Sequence, residues 1–162
     1  HSERRTIHNE SDDVLNAKVK AAFKHGVTPV LCVGEGLEIR QAGTHVEHTL
    51  QQLRAGVAGL TNEQASDLVV AYEPVWAIGT GEVAGPEDAQ EMCAAIRAEL
   101  EKLFGADVAA RTRLLYGGSV KANNAAAILQ ERDVDGVLVG GASLDPAEFA
   151  NIVRFESHLV TD

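Results

Sequence analysis

The chain holds 162 residues, with 14 Lys+Arg against 24 Asp+Glu and a formal net charge of −10, so it lacks the clustered basic surface that a nucleic-acid partner bound through its phosphates requires. Hydrophobic residues at 45% and charged residues at 23% are ordinary for a folded globular domain. No apolar run approaches the roughly 20 residues of a membrane span.

Ser11 followed by Asp12 and Asp13 supplies a cap and first-turn acids, and Leu15, Val19, Ala22 and Phe23 share one helical face before Gly26. A helix is predicted over about 12–25. Val27 to Val33, with Pro29 near its start and Gly34 at its end, reads as a buried strand. From Glu38 to about Gly56 the pattern is helical, with Val46, Leu50 and Leu53 on one face, and Thr61-Asn62 is expected to turn the chain.

Leu68 to Tyr72 is apolar on both parities, which suits a parallel strand covered on both faces; it ends at Glu73-Pro74. Pro86 suits the first helical position, Glu87 and Asp88 the first turn, and Ala89, Met92, Cys93, Ile96, Leu100 and Leu103 form a stripe that Gly105 closes. Strands are predicted over Arg113 to Tyr116, before Gly117-Gly118-Ser119, and over Val134 to Val139, before Gly140-Gly141. The last helix opens with Asp145 and Glu148 as a capping-box pair, Pro146 at its first position and Leu144 stapled on Phe149, and then runs through Ile152 and Val153 to about Phe155.

Alternating strands and helices call for parallel strands joined by right-handed crossovers, within one domain over 1–162. The fold class expected is α/β, a (β/α)8 barrel of which this chain supplies roughly the C-terminal four or five βα units. Such a barrel takes about 250 residues, so its earlier strands lie outside this sequence. The opening at His1 and the single methionine, Met92, carry the same expectation of a piece of a longer protein. Cys32 and Cys93 show no CxxC spacing, which fits a reducing, cytoplasmic compartment and gives no metal site.

Gly34-Glu35, Glu73-Pro74, Gly117-Gly118-Ser119 and Gly140-Gly141 all follow strands, which places them on the face where parallel α/β folds bind ligands. A single Gly-Gly is more often a tight turn, and a strand-end acid is more often a solvated cap. Two Gly-Gly pairs after the last two strands match the barrel phosphate site, whose bare N–H groups approach an anion closely. Glu73, kept from helical geometry by Pro74, projects towards the mouth as a base. Pro74 to Gly85, with the apolar Val75-Trp76-Ala77-Ile78 before Gly79-Thr80-Gly81, reads as a lid with a hydrophobic tip. The other histidines, His8, His25, His45, His48 and His158, read as surface or packing residues, and Cys32 as a small core residue.

The run Ala71-Tyr72-Glu73-Pro74-Val75-Trp76-Ala77-Ile78-Gly79-Thr80-Gly81 resembles the active-site signature of the triosephosphate isomerase family. His1 to Arg5, Leu31 to Glu35, Tyr116 to Val120 and Asp135 to Leu144 resemble its other motifs in the same order, so the resemblance covers the whole chain. It implies interconversion of dihydroxyacetone phosphate and glyceraldehyde 3-phosphate through an enediol(ate), with no metal or organic cofactor. Glu73 would be the base and His1 the neutral electrophile, an assignment inherited from the family. Glu3 would pair with a lysine that follows the family's first strand, and backbone donors at Gly79, Ser119, Gly140 and Gly141 would hold the phosphate. The resemblance further implies a homodimer for the complete protein and a small triose phosphate as its partner, with no nucleic acid and no membrane.

The family's first three strands, with their asparagine and lysine and the loop that builds most of the dimer interface, are absent here. Two other readings therefore stay open: an inactive half-barrel that retains anion binding or self-association, and a flavodoxin-like mononucleotide binder, disfavoured because no GxGxxG follows a strand.

Overall fold

Four short parallel strands, β1 (Val30–Val33), β2 (Val69–Tyr72), β3 (Arg113–Tyr116) and β4 (Gly136–Val137), pair in sequence order to form one sheet. They are seen in a computed structural model that describes residues 1–78 and 84–158. The helices are α1 (Glu3–Thr6), α2 (Asp12–Lys24), α3 (Leu37–Gln41), α4 (His45–Val57), α5 (Asn62–Asp67), α6 (Pro86–Phe104), α7 (Ala106–Arg111), α8 (Ala122–Leu129) and α9 (Pro146–Val153). Each strand returns to its parallel neighbour through helices, as crossover geometry demands. This is the α/β arrangement of a partial barrel.

The register aligns Val33 with Tyr72 and Tyr72 with Tyr116, so β1, β2 and β3 end level. Side chains alternate across the sheet. Leu31, Val33, Val70, Tyr72, Leu114 and Tyr116 point into the main core, where α4 packs on β1, α6 on β2 and β3, and α8 on β4. Val30 and Cys32 face the opposite, concave side, where Val30 is 47% exposed. β2, read as a strand covered on both faces, is buried on both parities, whereas β1 leaves Val30 open on the concave side. No helix among the described residues is long and apolar enough to cross a membrane.

Local chemistry explains where the elements differ from the reading of the sequence. The helix predicted over 38–56 is two helices, because Gly43 takes a left-handed φ of 69° and the Thr44 N–H returns to the Ile39 carbonyl, closing α3. Thr61 caps α5 rather than turning the chain: its hydroxyl accepts from Gln64 N–H while the Gln64 side chain accepts from Thr61 N–H. Helices α7 and α8 are additions to the expected elements. In α6 the stripe from Ala89 to Leu100 is buried, but Leu103 is exposed.

At the C-terminal end β4 is reduced to two residues, although Asp135 N–H and Leu138 N–H still donate to β3 carbonyls on either side of it. Asp145 caps α9 by accepting from Ala147 and Glu148 N–H. The expected reciprocal bond from Glu148 is absent, because its carboxylate accepts instead from Ala122 N–H of α8 at 2.7 Å. The Leu144 staple is corrected too: Leu144 is 87% exposed. Val153 is likewise exposed, and only Ile152 of the pair enters the core.

Candidate active site

Glu73 stands one residue beyond β2, and its N–H continues the ladder by donating to the Val33 carbonyl at 2.8 Å. Pro74 then ends the strand, since it has no N–H to donate. The Glu73 side chain is buried, 1% exposed, and a buried carboxylate needs donors. It has two. Ser2 N–H donates to Oε2 at 2.6 Å, and His1 Nε2 lies 3.3 Å from Oε1.

The tautomer of His1 follows from its other nitrogen. Glu3 N–H donates to His1 Nδ1 at 3.1 Å, so Nδ1 is an acceptor without a proton and the proton of the imidazole sits on Nε2. Nε2 therefore presents an N–H towards the carboxylate and the cavity. The Glu73 carboxylate and the His1 imidazole stand side by side on the wall of the cavity.

Two glycines make room for Glu73. A Cβ on Gly34 would stand 1.8 Å from the Glu73 carbonyl oxygen, and one on Gly117 would stand 2.8 Å from Glu73 Cγ. Both distances are far inside contact, so the strand ends after β1 and β3 must be bare for the chain to pass.

His1 and Glu73 open into a cavity of about 700 Å3 on the concave side. Ser119 lines it after β3, Gly140 and Gly141 line it after β4, and Ile78 and Cys32 complete the apolar wall. Gly140 has a φ of −87°, and a Cβ on it or on Gly141 would meet nothing within 4 Å. Neither glycine is demanded by packing, in contrast to Gly34 and Gly117. Bare N–H groups at the rim of a cavity are suited to an anion.

Behind Glu73 lies a polar cluster inside the core. Glu35, fully buried, accepts from Tyr72 OH at 3.0 Å and from Trp76 Nε1 at 2.9 Å. Burial pushes its carboxyl pKa up, against the lowering effect of its own backbone bond, these two donors and Arg40. Burial, and then the Glu35 charge, push the Tyr72 hydroxyl up. Trp76 sits on a 3-10 turn, Val75–Ala77, and is buried with Ala77. The expected hydrophobic lid tip is thus a packed turn in its first half, with Ile78 as its cavity-facing residue.

The structure brings together His1, Glu73, Ser119, Gly140 and Gly141 around one cavity. Gly79, the further expected phosphate donor, lies outside the described residues. Glu3 is not brought in by its side chain, which is 62% exposed; its contribution is the main-chain N–H on His1. Cys32 is a buried free thiol whose pKa is pushed up to about 11, by burial first and then by the Glu73 charge. Such a thiol is a poor nucleophile, as the sequence reading held, but it is buried in the cavity wall and not in the main core where that reading placed it. Sequence reasoning missed Lys121, which also lines the cavity; a cation directly after Gly117-Gly118-Ser119-Val120 was the available signal. It also missed the clearance role of Gly34 and Gly117, which only their approach to Glu73 reveals.

Comparison with known proteins accords with this geometry. Residues 1–156 match the family model described as triosephosphate isomerase. The chain is 61% identical over 155 residues to a triosephosphate isomerase of Streptomyces coelicolor, covering 96% of this chain and 60% of that protein. It is 60% identical over 152 residues to one from Mycobacterium sp. (strain JLS), covering 94% and 58%, and 58% identical over 152 residues to one from Nocardia farcinica, with the same coverage. The chain thus spans about three fifths of the length of these curated relatives. With its motifs in order along the match and its strand ends gathered on one cavity, the chain belongs to the triosephosphate isomerase family.

Proposed function

We propose that the protein of full family length interconverts dihydroxyacetone phosphate and glyceraldehyde 3-phosphate, with Glu73 as the base and His1 as the electrophile. The observation that carries this is the pair itself: His1 Nε2 and Glu73 Oε1 are 3.3 Å apart on the wall of a cavity also lined by the strand-end residues Ser119, Gly140 and Gly141. Glu73 takes a proton from the carbon next to the carbonyl and returns it to the neighbouring carbon. His1, with its proton on Nε2, hydrogen-bonds the carbonyl oxygen as negative charge grows there, so the developing enediolate meets a donor already in place. Main-chain donors at Ser119, Gly140, Gly141 and Gly79 hold the phosphate. That binding, remote from the reacting carbons, aligns them with Glu73. The resemblance supports reading the complete protein as a cytoplasmic homodimer, with electrostatic support from the lysine with which Glu3 would pair.

Glu73→Gln tests the reading. The amide keeps the shape and cannot accept the proton, so kcat should fall by about 10²–10⁴-fold while inorganic phosphate still competes as in the unmodified protein. A change of only a few fold would remove Glu73 from the mechanism.

A further inference from the structure

The guanidinium of Arg40, on α3, lies 5.1 Å from the centre of the Trp76 ring, and its Nη1 is 3.8 Å from Glu35 Oε1. Its remaining arms reach α6: Nη2 pairs with Asp88, and Nη1 lies 3.2 Å from Glu91. Asp88 is itself committed, since its other oxygen accepts from Gly85 N–H at 2.9 Å, ahead of the first turn of α6. The guanidinium is therefore held from one side by acids near a helix N-terminus and lies over an indole on the other.

We propose that Arg40 is a positioning residue for Glu73, acting through Trp76 and Glu35. Trp76 is three residues beyond Glu73 and is tied to Glu35 twice, by its main-chain N–H at 3.3 Å and by Nε1 at 2.9 Å. Glu35 also holds Tyr72, the residue before Glu73. Both flanks of the base thus converge on one buried carboxylate, and Arg40 is the cation that faces it. An exposed ion pair would matter little. This one is aimed inward: Arg40 is 20% exposed and Glu35 not at all, and a stacked, forked guanidinium is a role that lysine fills poorly.

The inference rests on the base assignment for Glu73, so its test needs a readout independent of turnover. Trp76 is the single tryptophan of the 162-residue sequence; labelled with 5-fluorotryptophan, it gives a fluorine resonance that Trp76→Phe assigns in any longer chain. Arg40→Met should keep the packing of the aliphatic stem and lose both stacking and charge. The Trp76 resonance should move, and kcat of the full-length protein should fall by about tenfold or more, since small misplacements of a base are costly. Competition by inorganic phosphate should be unchanged, and Arg40→Lys should recover kcat only in part. If Arg40→Met does not fold, the Asp88→Asn/Glu91→Gln pair releases the guanidinium from α6 and should produce the same two changes. A resonance that stays in place, a resonance that moves without loss of kcat, or phosphate competition that weakens in step with kcat would each overturn the proposal. Full turnover by Glu73→Gln would instead sink the base assignment, while the Trp76 resonance would still report whether Arg40 holds the ring.

Discussion

The main-chain N–H of Ser2 donates to Glu73 Oε2 at 2.6 Å, joining two residues 71 positions apart. The bond fixes where the carboxylate stands, and only a side chain of glutamate length spans from the end of β2 to that donor. Glu73→Asp should therefore withdraw the base from both Ser2 and the cavity. Turnover should fall by about 10²-fold, the scale of a displacement near 1 Å, with phosphate inhibition preserved. Retention of full kcat by Glu73→Asp would show that the reach of the side chain does not matter.

Gly34→Ala and Gly117→Ala should separate a main-chain clash from a side-chain clash. The first places a Cβ 1.8 Å from the Glu73 carbonyl oxygen and the second 2.8 Å from Glu73 Cγ. Gly34→Ala should cost stability on the scale of core overpacking, about 1–3 kcal/mol or more. Gly117→Ala should lose turnover beyond its loss of stability, because the atom it displaces belongs to Glu73, the proposed base. Thermal unfolding beside steady-state kinetics distinguishes the two, and full turnover by a folded Gly117→Ala protein would reject the distinction.

Gly141→Val addresses the anion site without the confusion of strain. Its new Cβ meets nothing within 4 Å, so Tm should hardly change. Competition by inorganic phosphate should weaken sharply, and both KM and kcat should suffer, because phosphate binding aligns the reacting carbons. Wild-type inhibition by phosphate in a folded Gly141→Val protein would place the anion elsewhere.

Glu10 should govern part of the acid stability. The hydrogen bonds from Arg4 and Lys18 hold its carboxyl at about 2, below the ordinary 4.5. A lowered folded-state pKa makes this contribution complete above about 4.5, lost as pH falls from 4.5 towards 2. Tm of the unmodified chain should therefore exceed that of Glu10→Gln by a constant margin near neutrality, and the two curves should converge below pH 4.5. Parallel curves down to pH 2 would contradict the assignment.

The 162-residue chain by itself should show negligible isomerase turnover and should self-associate. Strands β1 and β4 end the sheet with one edge each unpaired among the described residues, and open edges invite pairing with other chains. A coupled isomerase assay and light scattering on a chain of verified mass test this; robust turnover by a monomer would overturn it.

What the sequence determined by itself was whatever depends on local chemistry. Pro86, Gly105 and the Ala89 to Leu100 stripe specify α6; Ser11 specifies the start of α2; the apolar run before Glu73-Pro74 specifies β2; and the family motifs specify the order of the strand ends. Tertiary structure decided what depends on distant neighbours. Gly43 looks like any residue of a helical run until its left-handed turn separates α3 from α4, and Leu144 and Glu148 carry a staple and capping signature that α8 overrides by taking the Glu148 carboxylate. Trp76 reads as part of a hydrophobic lid tip, yet it is packed into the core, where Glu35, 41 residues earlier, offers its indole an acceptor. The contacts of Ser2 and His1 with Glu73 cross about 70 residues. His1 and Ser2 precede α1 and lie on no strand, so their approach to the end of β2 is made by the tertiary fold alone, and no local periodicity encodes it.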